Sequence, residues 1–166
     1  LDFQEFMIMP ISALSFQNAM QMGSEIFHSL KIILSEMGEP TSVGDEGGFA
    51  PNIDSPEETL SLLCKAVENA GYKIEDDIVF ALDVAATEFY KDGVYNLTNI
   101  SSPISSDEMI DYLETLINKF PIFSIEDPLD EDDWSGWTKL NSKIGKKIQI
   151  VGDDLFVTNS KRLEKG

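Results

Sequence analysis

Five carboxylates stand where their spacing could support chemistry. Asp83, Glu126 and Asp153 each follow a short apolar run: Ile78–Leu82, Ile122–Ile125 and Ile148–Gly152. Enough chain separates the runs for a helix to cross back each time, so the three read as successive parallel strands. Parallel strands gather their C-terminal ends on one face, where α/β active sites form. Three acids brought together there repel one another unless a cation lies between them. Their hard oxygen ligands select Mg²⁺, Mn²⁺ or Ca²⁺. An acid after a strand also serves as an N-cap or turn residue, and each of the three taken singly admits that reading.

Glu46 and Glu5 are the other two. Glu46 sits in Gly44-Asp45-Glu46-Gly47-Gly48, whose glycines allow positive φ and close backbone approach. The loop could present Glu46 as a proton donor or acceptor, or be a solvated turn. It lacks the Gly-Lys-Ser/Thr ending of a phosphate-binding loop. Glu5 lies in the apolar segment Phe3–Met9, where an unpaired charge is costly. Either a function or a buried ion pair accounts for it. The acidic run Glu126-Asp127 to Asp133 reads mostly as solvated loop and helix N-terminus, with Glu126 alone placed by a strand. His28, Trp134 and Trp137 read as packing residues.

Long amphipathic segments position these acids. Ser15–Met37 predicts a helix with Ser15 as N-cap and Gly38 as terminator, its apolar stripe running through Phe16, Met20, Phe27, Leu30 and Leu34. Ser55 and Glu58 read as a capping box that opens a second helix, with Pro56 at the first helical position and Leu60, Leu63, Val67 and Ala70 facing inward. Ser105 and Glu108 form a capping box for a third, with Ile110, Leu113, Ile117 and Phe120 on one face. Asp92-Gly93 between Tyr90 and Tyr95 reads as a tight hairpin. From Ile78 onward strand and helix alternate, which predicts an α/β fold.

Composition narrows the function classes. The 166 residues carry 30 Asp+Glu against 12 Lys+Arg, a formal net charge of −18. That balance argues against nucleic acid and against an anionic membrane surface, both of which need clustered basic residues. The apolar fraction of 42% suits a packed core and not a disordered acidic tail. Cys64 is the single cysteine, so no intrachain disulfide forms, in keeping with a reducing compartment. No apolar stretch approaches the about 20 residues of a membrane span.

Five strings carry a family resemblance: Gln4-Glu5-Phe6-Met7-Ile8, Val43-Gly44-Asp45-Glu46-Gly47-Gly48-Phe49-Ala50-Pro51-Asn52, Glu88-Phe89-Tyr90-Lys91-Asp92-Gly93, Ser124-Ile125-Glu126-Asp127-Pro128 and Val151-Gly152-Asp153-Asp154-Leu155. In this order the chain resembles the enolases, the glycolytic 2-phosphoglycerate dehydratases. The resemblance implies that residues 1–166 are part of the C-terminal catalytic barrel, about strands two to five of an eight-stranded TIM barrel with a ββαα start. The N-terminal capping domain and the last barrel strands are expected to lie outside it. Carried over by position, Asp83, Glu126 and Asp153 match the Mg²⁺ ligands, and Glu46 the acid that protonates the departing hydroxyl. Glu5 matches the glutamate that assists it. Glu5, Glu126 and Asp153 also match residues near substrate. Val84 departs from the family, which more often has Cys there.

The resemblance further implies 2-phosphoglycerate and phosphoenolpyruvate as ligands, a homodimeric intact protein and a cytoplasmic location, with a cell-surface pool known in the family. The family's base Lys and phosphate-holding Arg match no residue present, so the segment alone is expected to be inactive. Another enolase-superfamily enzyme, or a non-catalytic binding or antigenic fragment, are the alternative readings.

Overall fold

The computed structural model describes residues 1–44 and 46–166; Asp45 of the glycine-rich loop lies outside the described residues. The chain begins with strand β1 (Glu5–Pro10) and two helices, α1 (Phe16–Met37) and α2 (Pro56–Asn69). Strand β2 (Ile78–Asp83) follows, then a 3-10 turn (Ala86–Phe89) and a small hairpin, β3 (Tyr90–Lys91) and β4 (Val94–Tyr95). Helix α3 (Ser106–Lys119), β5 (Ile122–Glu126), α4 (Trp134–Ile144), β6 (Gln149–Val151) and α5 (Ser160–Lys165) complete the order.

The main sheet runs β1-β2-β5-β6. β1 is antiparallel to β2, whereas β2, β5 and β6 are mutually parallel. The predicted α/β alternation is therefore present. The four strands form an open sheet among the described residues, consistent with part of a barrel rather than a closed one. Helices cover it as expected for parallel strands: Leu113 and Leu116 of α3 and Leu140 and Ile144 of α4 are fully buried with Phe80, Leu82 and Ile125 of the strands. No helix of the described residues is long and apolar enough to cross a membrane.

Helix ends follow local chemistry. The Ser15 side chain accepts from Asn18 N, and Gly38 closes α1 at φ 78°. Ser55 caps α2 by accepting from Glu58 N, with Pro56 in the first turn, but the expected box is only half made, because the Glu58 side chain does not bond back to Ser55. Ser105 and Glu108 form a reciprocal capping box on α3. Asp92 and Gly93 both have positive φ (54° and 87°), as a two-residue type I′ hairpin turn requires.

The predicted faces of α2 and α3 are largely the buried ones, with Leu60, Leu63, Val67, Ile110, Leu113 and Phe120 all buried, whereas the first half of α1 departs from its predicted stripe. In α1 the structure buries Met22, Ile26, Ile33 and Leu34, while Phe16 is 82% and Met20 59% exposed. Apolar residues cover more of this helix's circumference than one contact can use, and packing against α2 and β1 selects the face. In α3, Met109 and Leu116 are buried alongside Ile110 and Leu113, and Ile117 is only half-buried. β6 is shorter than its apolar run, so Asp153 stands two residues beyond the strand.

Candidate functional site

Strand register brings the first acids together. Glu5 is the cross-strand partner of Asp83, and Asp83 that of Glu126. Because β1 runs opposite to its neighbours, its N-terminal end meets their C-terminal ends. One residue from each of three adjacent strands thus lies at one level of one sheet edge. Glu126 in turn pairs with Val151, which places Asp153 in the loop just past the same edge.

The glycine-rich loop delivers Glu46. Gly44 N donates to Gly48 O at 2.9 Å and Gly47 N to Gly44 O at 3.0 Å, while Val43 bridges Phe49. Phe49 stacks on Phe27 of α1 with ring centroids 4.3 Å apart, anchoring the loop to the helix. Gly47 has φ +83°, and a Cβ on Gly48 would come within 3.3 Å of Glu5 Oε2. A side chain at Gly48 would press on the Glu5 carboxyl, which would have to shift by a few tenths of an ångström. Glu46 lies close enough to Glu5 that its carboxyl helps to raise Glu5 above the ordinary glutamate value.

Asp83, Glu126 and Asp127 each offer a carboxylate oxygen within 4.8 Å of the others. Gln4 Nε2 donates to Asp83 Oδ2 at 2.9 Å and steadies it. Asp153 is exposed and lies outside this tight set, yet near enough that its charge bears on Glu126. Sequence reasoning thus selected Asp83 and Glu126, which the structure juxtaposes, and Asp153, which it places at the border.

Electrostatics set these acids apart from ordinary surface carboxylates. Burial, then the charges of Glu126 and Asp127, push Asp83 up to about 6, against a partial pull-back from the Ala85 amide. Glu126 is raised by burial first and then by Asp127, Asp153, Asp154 and Glu46. Glu5 is raised by burial and then by Glu46. None of the ion pairs among the described residues involves Glu5, Asp83, Glu126 or Asp153. The ion-pair reading of Glu5 therefore fails, and the cluster holds negative charge with no cationic side chain in contact. Its oxygen-only donor set fits a hard divalent cation, which would favour the ionised carboxylates and reverse these shifts.

Asp127 was missed. It is not part of a solvated run: it is 3% exposed, with φ 42°. Its place directly after a strand and before Pro128 was the available signal, since Asp tolerates the left-handed region and bonds backbone amides in turns. Asp133, in the same run, caps α4 and accepts from Ser106 Oγ, as the helix-terminus reading anticipates. Trp137 Nε1 donates to Asp130 O at 3.0 Å, and Arg162 and Lys165 lie over Trp134, so both tryptophans serve packing.

A cleft of about 590 Å³ lies between β1, α1, α2 and the glycine-rich loop. Glu5 and Glu46 are on its wall, but Phe3, Ile26, Phe27 and Leu63 make it largely apolar, and Asp83 and Glu126 do not line it. It is therefore not the seat of a charged ligand held through those acids.

Residues 1–166 match the family described as enolase, C-terminal TIM barrel domain. The match covers every element that carries the acidic cluster, and the chain belongs to that enolase-superfamily family.

Proposed function

We propose that the intact protein is an enolase, catalysing reversible dehydration of 2-phosphoglycerate to phosphoenolpyruvate with Mg²⁺. The observation that carries this is the strand register that sets Glu5, with Glu46 near it, level with the Asp83–Glu126 cluster. A metal-holding group and a proton-holding group meet at one sheet edge, which dehydration of a charged hydroxy acid requires.

Asp83, Glu126 and Asp153 would hold the metal. Mg²⁺, when bound, offsets the negative charge that builds on a substrate carboxylate as its α proton leaves. The residues of this chain do the rest of what 1–166 contributes. Hydroxide is a poor leaving group and departs only when protonated. Burial and the neighbouring Glu46 carboxyl raise Glu5 and so favour a proton on it, and in this reading Glu46 would be the donor to the departing hydroxyl with Glu5 as its partner. The base that takes the α proton corresponds to no residue in 1–166, so this segment by itself should not turn over substrate.

The test is steady-state turnover of 2-phosphoglycerate by the full-length protein with Mg²⁺, alongside Glu46→Gln. The wild type should be active. The variant should lose at least about 100-fold in kcat while still binding Mg²⁺. An inactive wild type that nonetheless binds Mg²⁺ would overturn the substrate assignment in favour of another enolase-superfamily reaction. Full activity in Glu46→Gln would overturn the role of Glu46.

A further inference from the structure

Asp127 lies close enough to Asp83 and Glu126 to look like a third member of a metal set. Its hydrogen bonds say otherwise. Its Oδ2 accepts from Asp153 N at 3.2 Å and Asp154 N at 2.9 Å, and its Oδ1 from Leu155 N at 3.2 Å. Both oxygens thus accept from consecutive amides of the loop after β6, three in all. The main chain of the same residue ties the neighbouring loops. Asp127 N donates to Val151 O at 3.0 Å, and Ala86 N donates to Asp127 O at 3.1 Å. One residue therefore joins the chain segments that follow β2, β5 and β6.

Geometry explains how it does so. The left-handed φ of 42° at Asp127 turns the chain sharply after Glu126. Its side chain then runs inward under the β6 loop, and Leu155, the last of the three amide donors, is itself buried. A carboxylate buried this deeply needs hydrogen-bond donors, and here three amides supply them, two to Oδ2 and one to Oδ1. β6 has only three residues, so the strand ladder alone cannot hold the Asp153 loop.

We propose that Asp127 is a positioning residue and not a metal ligand: its carboxylate clamps the amides of Asp153, Asp154 and Leu155 and thereby aims Asp153 at the divalent cation held with Asp83 and Glu126. This rests on the metal reading given above, and goes beyond it by assigning the clamp. An outer group of this kind acts on metal affinity through the ligand it orients.

The experiment uses the full-length protein, with Mg²⁺ as the probe. Isothermal titration calorimetry of the wild type, Asp127→Asn and Asp83→Asn is paired with amide hydrogen exchange. In Asp127→Asn an amide nitrogen replaces one acceptor oxygen. The number of Mg²⁺ bound should be unchanged, the affinity should fall about 10-fold to 100-fold, and exchange at residues 153–155 should accelerate. Asp83→Asn should lose a bound ion and leave that exchange unaltered. Loss of a bound ion in Asp127→Asn would make it a ligand and overturn the proposal. Unchanged affinity despite faster exchange would overturn the positioning role, because a purely structural bond would behave that way. If Asp127→Asn does not fold, wild-type exchange decides. The three amides should be protected without Mg²⁺ and no less protected with it. Free exchange, or protection lost on adding Mg²⁺, would overturn the clamp. A wild type that binds no Mg²⁺ would instead overturn the parent metal reading, while its amide exchange still decides the clamp.

Discussion

The same residue types are treated in opposite ways at two places in this protein. Along the seam between α3 and α4, acids face lysines in a ladder. Lys139 pairs with Asp107 at 2.7 Å, Lys143 with Asp111 and with Glu114 at 2.9 Å, and Lys147 with Glu114 at 3.1 Å. Glu114 is held below the usual glutamate range by Lys143 and Lys147. At the strand ends, Asp83 and Glu126 pair with no cationic side chain among the described residues, share burial with further acids, and are raised. Exposed pairs of the seam type contribute little to stability and fade with salt. The strand-end cluster opposes folding, because crowded charge in a half-buried site is unfavourable. Acids crowded together where they raise one another are the stronger pointer to function.

The largest break of this contrast is Asp83→Asn in the full-length protein. Mg²⁺-dependent activity should fall below detection in a coupled assay. Yet the metal-free variant should melt higher than the metal-free wild type, by a few degrees. Gln4 can still donate to the remaining oxygen, while a repelled charge is gone. A lower melting temperature would mean that the cluster is structural. The corresponding change at Asp111 should not stabilise.

Acid separates the two regions next. The folded-state value of Asp83, about 6, lies above its ordinary 3.8, so the folded protein takes up a proton that the unfolded chain does not hold in that window. As pH falls from about 6 to 3.8, Asp83 therefore makes the metal-free protein more stable. Over the same fall Mg²⁺ competes with a proton, and its apparent affinity should drop about tenfold per pH unit from this group alone. Glu114 has the opposite sign. Its lowered value gives stability present above its ordinary 4.5 and lost as pH falls through the lower folded value. Calorimetric titrations at pH 7, 6 and 5 check the metal limb. Affinity independent of pH would remove Asp83 from the ligand set.

Two smaller effects sharpen the seam. Ser105→Ala removes the capping box of α3, the helix that presents Asp107, Asp111 and Glu114, and should cost about 1 kcal/mol by chemical denaturation. Lys143→Ala breaks two exposed pairs at once and should lower the melting temperature only slightly, the difference disappearing in about 1 M salt. A large, salt-resistant loss would show the seam to be more than a solvated contact.

Much of the positioning frame was legible in residue order. Apolar runs ending in Asp83 and Glu126, the Ser105–Glu108 box and the Asp92-Gly93 turn each act over a few residues, so local chemistry reports them. The choice of buried face on α1 was not legible. Its apolar residues span several faces, and only the placement of α2 and β1 separates Met22 and Ile26 from Phe16 and Met20. Asp127 was illegible for a similar reason. In sequence it is one acid in a run of acids, and only the β6 loop lying over it makes it a buried acceptor.

By itself, the sequence determined which residues could meet a cation or carry a proton, and the strand–helix alternation that brings strand ends to one edge. Side-chain type and short-range periodicity suffice for both. Only the tertiary structure decided the antiparallel entry of β1 that sets Glu5 opposite Asp83, the loop closure that brings Glu46 near Glu5, and the use of Asp127 as an amide acceptor. Each depends on contacts between segments distant in the chain, where register and burial, not residue identity, select the partner of each carboxylate.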